Sequence, residues 1–170
     1  ERSGESIIAL VDNSASMAAV EENRSTRLDA AKAEALRIAE GLPKDGEMTV
    51  ISFNTRGKVV CGFTGNKRRL KDAISGIRGT DCATGVEPAL SMAKSLCGSR
   101  ARPRIVLFSD GAFPQPPRMN LPVTVEYRKI GAPRPNVAIT ALDIRRSFKN
   151  RDKIEMFVAL ENYSCHPYAG

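Results

Sequence analysis

The sequence predicts an α/β fold with a doubly wound, mostly parallel sheet, followed by a β-hairpin. Residues 7–11 and 105–108 are short runs of purely apolar side chains, which is typical of strands buried on both faces of a parallel sheet. Segments with helical spacing of apolar residues lie between such runs, so strands and helices alternate. The alternation stops near residue 130, where a stretch rich in Pro and Gly begins. We therefore expect one domain at residues 1–131 and a separate segment at residues 132–170.

The elements expected in the first domain follow from local signals. Thr26 and Asn66 each precede an apolar stripe with helical spacing, so each is expected to cap a helix. Thr84 and Glu87 have the spacing of a capping box, which predicts that Thr84 opens a third helix. The expected strands are residues 6–11, 48–53, 58–63, 104–108 and 123–130. The second and third are expected to form a hairpin, and the last to lie at a sheet edge.

The chain beyond Gly111 departs from this pattern. Four prolines argue against a helix at residues 112–122. After a linker, residues 137–144 and 154–161 are two strand-like runs joined by a charged turn. We interpret residues 136–170 as a β-hairpin that opens an all-β domain, a β-sandwich, which the sequence truncates. Since the sequence begins with Glu1 rather than Met, we expect it to be a piece of a longer protein.

The composition argues against several kinds of chemistry. The 170 residues include one histidine, His166, which is too few for a His-rich zinc site and poorly placed for a Ser-His-Asp triad. The four cysteines show no CxxC spacing, which argues against a zinc ribbon or a thioredoxin-like motif. They are expected to be small buried side chains. No apolar run approaches the roughly 18 residues of a membrane span.

The net charge of +7 is concentrated late in the sequence. Residues 100–153 carry twelve basic and four acidic side chains, which could attract nucleic acid, anionic lipid or an acidic partner. No nucleic-acid-binding motif accompanies them. We therefore favour a solvated basic face.

The loop after the first strand carries an acid and two hydroxyls at alternate positions. Asp12, Ser14 and Ser16 can turn their oxygens toward one point if the loop is extended, and Mg²⁺ prefers oxygen ligands. Thr80 lies in the loop before the third helix, and Asp110 follows the buried strand at residues 104–108. Because ligand sites in open α/β sheets form at the carboxyl ends of strands, these five side chains are expected to meet at one edge. They are the candidate metal ligands.

This combination resembles the von Willebrand factor A domain and its metal-ion-dependent adhesion site. The family pattern is Asp-x-Ser-x-Ser after the first strand, a Thr in a middle loop and an Asp in a later (Ser/Thr)-Asp-Gly. It is matched here by Asp12, Ser14, Ser16, Thr80 and Asp110. The resemblance covers roughly residues 5–131. The sequence that opens the first helix resembles the bacterial branch of the family, and the departure after Gly111 resembles membrane-anchored members in which β-sandwich domains follow.

The resemblance implies a non-enzymatic, adhesion-type module for protein–protein interaction. In the family, such residues hold Mg²⁺ (or Mn²⁺ or Ca²⁺) and leave one position open for a Glu or Asp carboxylate of a partner protein. The resemblance also implies a cell-envelope setting, a membrane-anchored full-length protein and no small-molecule substrate. The helices that usually follow Asp110 and the last strand are missing from the pattern. Part of the sheet is therefore expected to be covered by the hairpin or by a partner.

Three alternatives stay open. A Mg²⁺-dependent hydrolase or phosphotransferase built on Asp12 would need a second acid or a lysine at the site, where the pattern offers Ser14. A basic surface binder of nucleic acid or anionic lipid would use residues 100–153. A scaffold with a vestigial metal site would bind no cation.

Overall fold

Two compact units make up the chain, Glu1–Gly131 and Ala132–Gly170. The structure is a computed structural model that describes residues 4–21, 24–98, 100, 102–113, 121–132, 137–146 and 154–162. In the first unit, strands and helices alternate as expected. Its elements are β1 (Ser6–Asp12), a 3-10 turn (Ala15–Ala18), α1 (Arg27–Glu40), β2 (Glu47–Phe53), β3 (Gly57–Thr64), α2 (Lys67–Ser75), α3 (Val86–Cys97), β4 (Pro103–Ser109) and β5 (Val125–Lys129).

The five strands form one sheet in the order β3-β2-β1-β4-β5. β1 pairs in parallel with β2 and with β4, and β4 pairs in parallel with β5. Only β3 is antiparallel, because it follows β2 through a short turn that leaves no room for a crossover. The predicted fold class, a mostly parallel doubly wound sheet, is confirmed.

Side-chain alternation along β1 builds a core on each face of the sheet. Ile7, Ala9 and Val11 pack in the cluster that includes the buried residues of α1 and α2. Ile8 and Leu10 pack in the opposite cluster, against α3. Every residue of β1 is buried, which explains why this strand reads as a continuous apolar run in the sequence.

Two of the three predicted helix caps are present. The Thr26 hydroxyl accepts a hydrogen bond from the backbone of Asp29 at 3.1 Å, and the Asp29 carboxylate accepts one from the backbone of Thr26 at 3.0 Å. Asn66 caps α2 through the backbone of Arg69. The prediction for Thr84 is wrong, since α3 begins after Gly85 and has no side-chain cap.

Both edges of the sheet are poor templates for another strand. The pairing of β2 with the edge strand β3 is irregular, with register shifts on either side of Val50. The other edge, β5, is only five residues long and carries the charged residues Glu126, Arg128 and Lys129. Short, charged and irregular edges disfavour pairing between sheets.

No helix follows β4 in the described part of the first unit. Residues 114–120 lie outside the described residues, so the absence of a helix at residues 112–122 stays a prediction. The second unit contains the expected antiparallel hairpin, formed by β6 (Val137–Arg146) and β7 (Ile154–Asn162). Its exposed apolar side chains include Leu142, Met156 and Val158. The charged turn between the strands lies outside the described residues, and the β-sandwich stays a prediction.

The expectation that the cysteines are buried is only partly correct. Cys61 and Cys97 are buried, but Cys82 is exposed, and all three are free thiols. Cys82 lies in the loop before α3, where its carbonyl accepts a hydrogen bond from the backbone of Ala15 at 2.9 Å. The backbone of Cys82 is therefore bonded to the loop after β1, while its side chain lies at the surface. Cys165 and His166 lie outside the described residues.

Candidate functional site

The candidate site lies where β1 and β4 end side by side. The two strands are parallel neighbours, with Val11 opposite Phe108, so Asp12 and Ser109 leave the sheet at the same edge. The Ser109 hydroxyl donates a hydrogen bond to Asp12 Oδ2 at 2.5 Å, which ties the two strand ends together. The topology therefore places the loop after β1 next to the loop after β4, as the sequence predicts.

Asp12 is a fully buried acid at the centre of the site. Its Oδ1 accepts a hydrogen bond from the backbone of Ser14 at 2.9 Å, and its Oδ2 accepts the bond from Ser109. Burial raises the pKa of Asp12 above its ordinary value, and the nearby charge of Asp110 adds to the rise, although the bonds from Ser109 and Ser14 oppose it. Among the described residues, no Lys or Arg forms an ion pair with Asp12.

A chain of hydrogen bonds joins three more of the predicted ligands. The hydroxyl oxygens of Ser14 and Ser16 are 3.2 Å apart. The Ser16 hydroxyl donates to Asp110 Oδ1, also at 3.2 Å. Ser14 is 1% exposed and the Asp110 side chain 3% exposed, so these oxygens are largely shielded from solvent. The structure thus brings Asp12, Ser14, Ser16 and Asp110 together.

Thr80 lies beside this group but bonds elsewhere. Its hydroxyl donates to the carbonyl oxygen of Asn13 at 3.0 Å and accepts from the Asn54 side chain at 3.3 Å. Its backbone nitrogen also donates to the Asn13 carbonyl, at 2.9 Å. The Asn13 side chain in turn donates to the carbonyl of Arg78 at 2.8 Å. Thr80 therefore fastens the middle loop to the loop after β1.

Thr84 is a site residue that the sequence reasoning missed. Its hydroxyl donates to Ser14 Oγ at 2.6 Å. This bond explains why Thr84 does not cap α3, since its side chain is turned toward the site instead of the helix. The available signal was its position one residue before Gly85, because a glycine can serve as the N-cap itself.

Arg27 is the second residue that was missed. It opens α1, and its Nη1 donates to Asp110 Oδ2 at 2.8 Å while its Nε donates to Glu21 Oε1 at 2.9 Å. Burial would lower the pKa of Arg27, but the hydrogen bonds and charges of Glu21 and Asp110 outweigh this and raise it. One oxygen of Asp110 is therefore held by a cation and the other faces Ser16.

Tyr127 of β5 lies at the margin of the site. Its hydroxyl donates to the carbonyl oxygen of Ser109 at 3.1 Å, and the residue is 45% exposed. Burial raises the pKa of Tyr127, as do the charges of Asp110 and Asp12. Gly111 has a φ of +82°, and a Cβ at this position would lie 2.7 Å from the Tyr127 hydroxyl. The tight turn after Asp110 thus requires glycine.

The donor set at this edge is dominated by hydroxyls. In the described part of the chain, no three His, Cys, Asp or Glu side chains cluster in a way that could hold a metal ion. A cation bound here would depend on Ser14 and Ser16 as well as on the two aspartates. Such a set suits Mg²⁺ or Mn²⁺, which bind carboxylate, hydroxyl and water oxygens, and does not suit zinc or copper.

The fold and this edge together define a doubly wound α/β domain with a cluster of carboxylate and hydroxyl oxygens at the carboxyl ends of its parallel strands. The family model for the von Willebrand factor type A domain matches residues 7–112. The chain belongs to that family. No curated protein matches the sequence.

Three solved structures of bacterial proteins share this fold. An aerotolerance-related membrane protein from Bacteroides fragilis has 20% sequence identity and a TM-score of 0.62, with 92% of this chain and 81% of that chain covered. BatB from Bacteroides thetaiotaomicron has 21% identity and a TM-score of 0.61, with 92% and 80% covered. The type V pili tip protein Mfa5 from Porphyromonas gingivalis has 20% identity and a TM-score of 0.56 over 64% of this chain. The match spans only 20% of the length of that Mfa5 chain.

None of the helices in the described residues is long and apolar enough to cross a membrane.

Proposed function

We propose that this domain is a non-enzymatic protein-interaction module that binds a Glu or Asp carboxylate of a partner protein through Mg²⁺ or Mn²⁺. Asp12, Ser14, Ser16 and Asp110 would hold the metal, and Thr80 is the fifth candidate. When bound, the metal would supply an open position for the partner's carboxylate. Thr80 could keep its donation to the Asn13 carbonyl, because its oxygen would bind the metal through a lone pair.

The observation that carries the proposal is the state of Asp12. This acid is fully buried, and in the described residues no basic side chain is paired with it. A buried carboxylate without a cation is costly, and its raised pKa expresses that cost. A divalent cation beside Asp12 would remove the cost. The hydroxyls of Ser14 and Ser16 are neutral and cannot do so themselves.

The spacing of the oxygens supports the same cation. Adjacent ligands of an octahedral Mg²⁺ shell, at 2.0–2.1 Å from the metal, are about 3 Å apart. The distances from Ser14 Oγ to Ser16 Oγ and from Ser16 Oγ to Asp110 Oδ1 are both 3.2 Å. These three oxygens therefore need little movement to become neighbouring ligands.

A bound divalent cation would make the site receptive to an acidic partner. Asp12, Asp110 and Glu21 bring three negative charges, and Arg27, which pairs with Asp110 and Glu21, brings one positive charge. A divalent cation would bring this sum to zero, so the site would no longer repel an acid. A partner's carboxylate could then bind the metal through a charge-assisted contact.

The relatives suggest the setting. Two of the proteins with this fold are a bacterial membrane protein and a pilus tip protein. We propose that the whole protein acts at the bacterial cell envelope, anchored to a membrane by parts outside this sequence. Partner binding would then occur at the candidate site of this domain.

Thermal unfolding with and without metal tests the metal site. We expect 5 mM MgCl₂ to raise the Tm above its value in EDTA, because a ligand that binds only the folded state stabilises it. Asp12→Ala and Asp110→Ala should abolish this rise. Asp81→Ala is the matched control, since Asp81 is an exposed acid in the loop of Thr80 and should leave the rise intact. A wild-type protein whose Tm ignores Mg²⁺ and Mn²⁺ would support the vestigial scaffold.

Sodium glutarate, a dicarboxylate that resembles a Glu side chain, tests the partner chemistry. We expect it to raise the Tm further in Mg²⁺, relative to NaCl of equal ionic strength, and to have no such effect in EDTA. The same effect in EDTA would contradict a metal-bound carboxylate. Binding of anionic vesicles or DNA that disappears with added salt and ignores EDTA would instead favour the basic surface binder.

A further inference from the structure

Arg27 binds two carboxylates at once, Asp110 of the candidate metal centre and Glu21 beside it. Its guanidinium donates to Asp110 Oδ2 at 2.8 Å and to Glu21 Oε1 at 2.9 Å. The side chains are 16% exposed for Arg27, 3% for Asp110 and 18% for Glu21, so the group is shielded from solvent. Ion pairs in such surroundings are much less screened than pairs on the surface.

Backbone hydrogen bonds fix the positions from which Arg27 and Glu21 reach each other. The nitrogen of Arg27 donates to the carbonyl of Ala19 at 3.0 Å, and that of Glu21 donates to the carbonyl of Ser25 at 2.8 Å. On the far side, a Cβ at Gly131 would lie 2.6 Å from Arg27 Nε. The absence of a side chain at Gly131 thus leaves the space that the Arg27–Glu21 pair fills.

We propose that Arg27 is a built-in counter-cation of the metal centre, which compensates Asp110 when no metal is bound and thereby sets the metal affinity. This inference rests on the proposed function, since it concerns the same site. It assigns Arg27 as a positioning and affinity-determining residue, without direct contact to the metal. Asp110 Oδ2 is bound to Arg27, so only Oδ1, which accepts from Ser16 and from the backbone of Ala112, faces the ligand group.

The two cations are coupled through Asp110. The guanidinium stabilises the buried carboxylate in the metal-free domain, and it also repels a divalent cation that approaches the same carboxylate. Removal of the positive charge should therefore weaken the metal-free fold and strengthen metal binding. A merely structural arginine would produce the first effect without the second.

The test compares Arg27→Gln with Arg27→Lys and with Arg104→Gln. Glutamine keeps N–H donors but has no charge, and lysine keeps the charge. Arg104 is the matched control, because it also bonds two carboxylates, Glu5 and Glu126, but lies near the start of β4, roughly 20 Å of strand away from Asp110. The measurements are the Tm in EDTA and the dissociation constant of Mg²⁺ by calorimetric titration.

We expect Arg27→Gln to lower the Tm in EDTA by about 5 °C and to tighten Mg²⁺ binding about tenfold. Arg27→Lys should bind Mg²⁺ like the wild type. Arg104→Gln should lower the Tm without changing Mg²⁺ binding. An Arg27→Gln variant that binds Mg²⁺ with unchanged or lower affinity would overturn the inference.

Two further results separate the possible failures. Glu21 also loses its bond to Arg27 in Arg27→Gln, so the double variant Glu21→Gln/Arg27→Gln shows whether the gain in affinity comes from the negative charge that Glu21 keeps. If the double variant returns to the wild-type affinity, the counter-cation role is refuted. If no variant and no wild type binds Mg²⁺, the proposed function fails, although the Tm difference in EDTA would persist.

Discussion

The substitutions Asp12→Asn and Asp110→Asn should change the stability of the metal-free domain in opposite directions. The chemical change is the same, but the two acids differ in their partners. Asp110 is paired with Arg27, whereas Asp12 is buried and forms hydrogen bonds but no ion pair in the described structure. Removing the charge therefore breaks an ion pair at Asp110, whereas at Asp12 it removes a buried charge that has no paired cation.

The magnitudes follow from these surroundings. Burial raises the pKa of Asp12, because the charged form of a buried carboxyl without a paired cation is disfavoured. Asn at position 12 can still accept from the backbone of Ser14 and donate to the Ser109 hydroxyl, so Asp12→Asn should stabilise the domain by about 1 kcal/mol. Asp110→Asn breaks a shielded ion pair and should cost about 3 kcal/mol.

Urea unfolding in EDTA at pH 7 measures both effects. The sequence has no tryptophan, so far-UV circular dichroism is the suitable signal. In the wild type, the raised pKa means that the folded state holds an extra proton just above pH 3.8. The contribution of Asp12 to the free energy of unfolding therefore falls as the pH rises from 3.8 through its folded-state pKa. Asp12→Asn should remove this pH dependence. A loss of stability in both variants would refute the reasoning, because it would show that the Asp12 charge is satisfied without a metal.

Two further changes test local features. Thr26→Ala should cost about 1 kcal/mol at pH 7, since it removes the capping box of α1. The Thr26 bonds lower the pKa of Asp29, so this cost should shrink as the pH falls below 3.8, which urea unfolding at pH 7 and pH 3 would check. Gly111→Ala should cost about 2 kcal/mol in the same assay, because φ is +82° and the new Cβ meets the Tyr127 hydroxyl. Gly62→Ala, with nothing within 4 Å of its added Cβ, is the control, and an equal cost there would contradict this account.

Much of the fold could be predicted because its signals are local. The strands at the centre of the sheet are apolar on both faces, and the caps Thr26 and Asn66 act on the residues that follow them. The position of Asp12 and Asp110 also followed from the sequence, since each ends a parallel strand and parallel neighbours end at one edge.

The parts that escaped prediction depend on contacts between distant segments. Arg27 and Asp110 are 83 positions apart, and nothing in the sequence of the first turn of α1 indicates that Arg27 pairs with Asp110. Thr84 matches a local capping rule, but its bond to Ser14, 70 positions away, replaced the cap. Cys82 is small and uncharged like a core residue, yet its loop is held by a backbone bond that leaves the side chain outside.

The two sheet edges have a consequence for how this domain can associate. A partner that adds a strand needs a regular row of free backbone groups, which the register shifts at β3 and the short, charged β5 do not offer. Addition of a partner strand through backbone hydrogen bonds, a mode that tolerates many partner sequences, is thus disfavoured at both edges of the sheet. Under the proposed function, selective contact would fall to the loop-bearing end of the strands, where discrimination would depend on the charge and length of a single side chain.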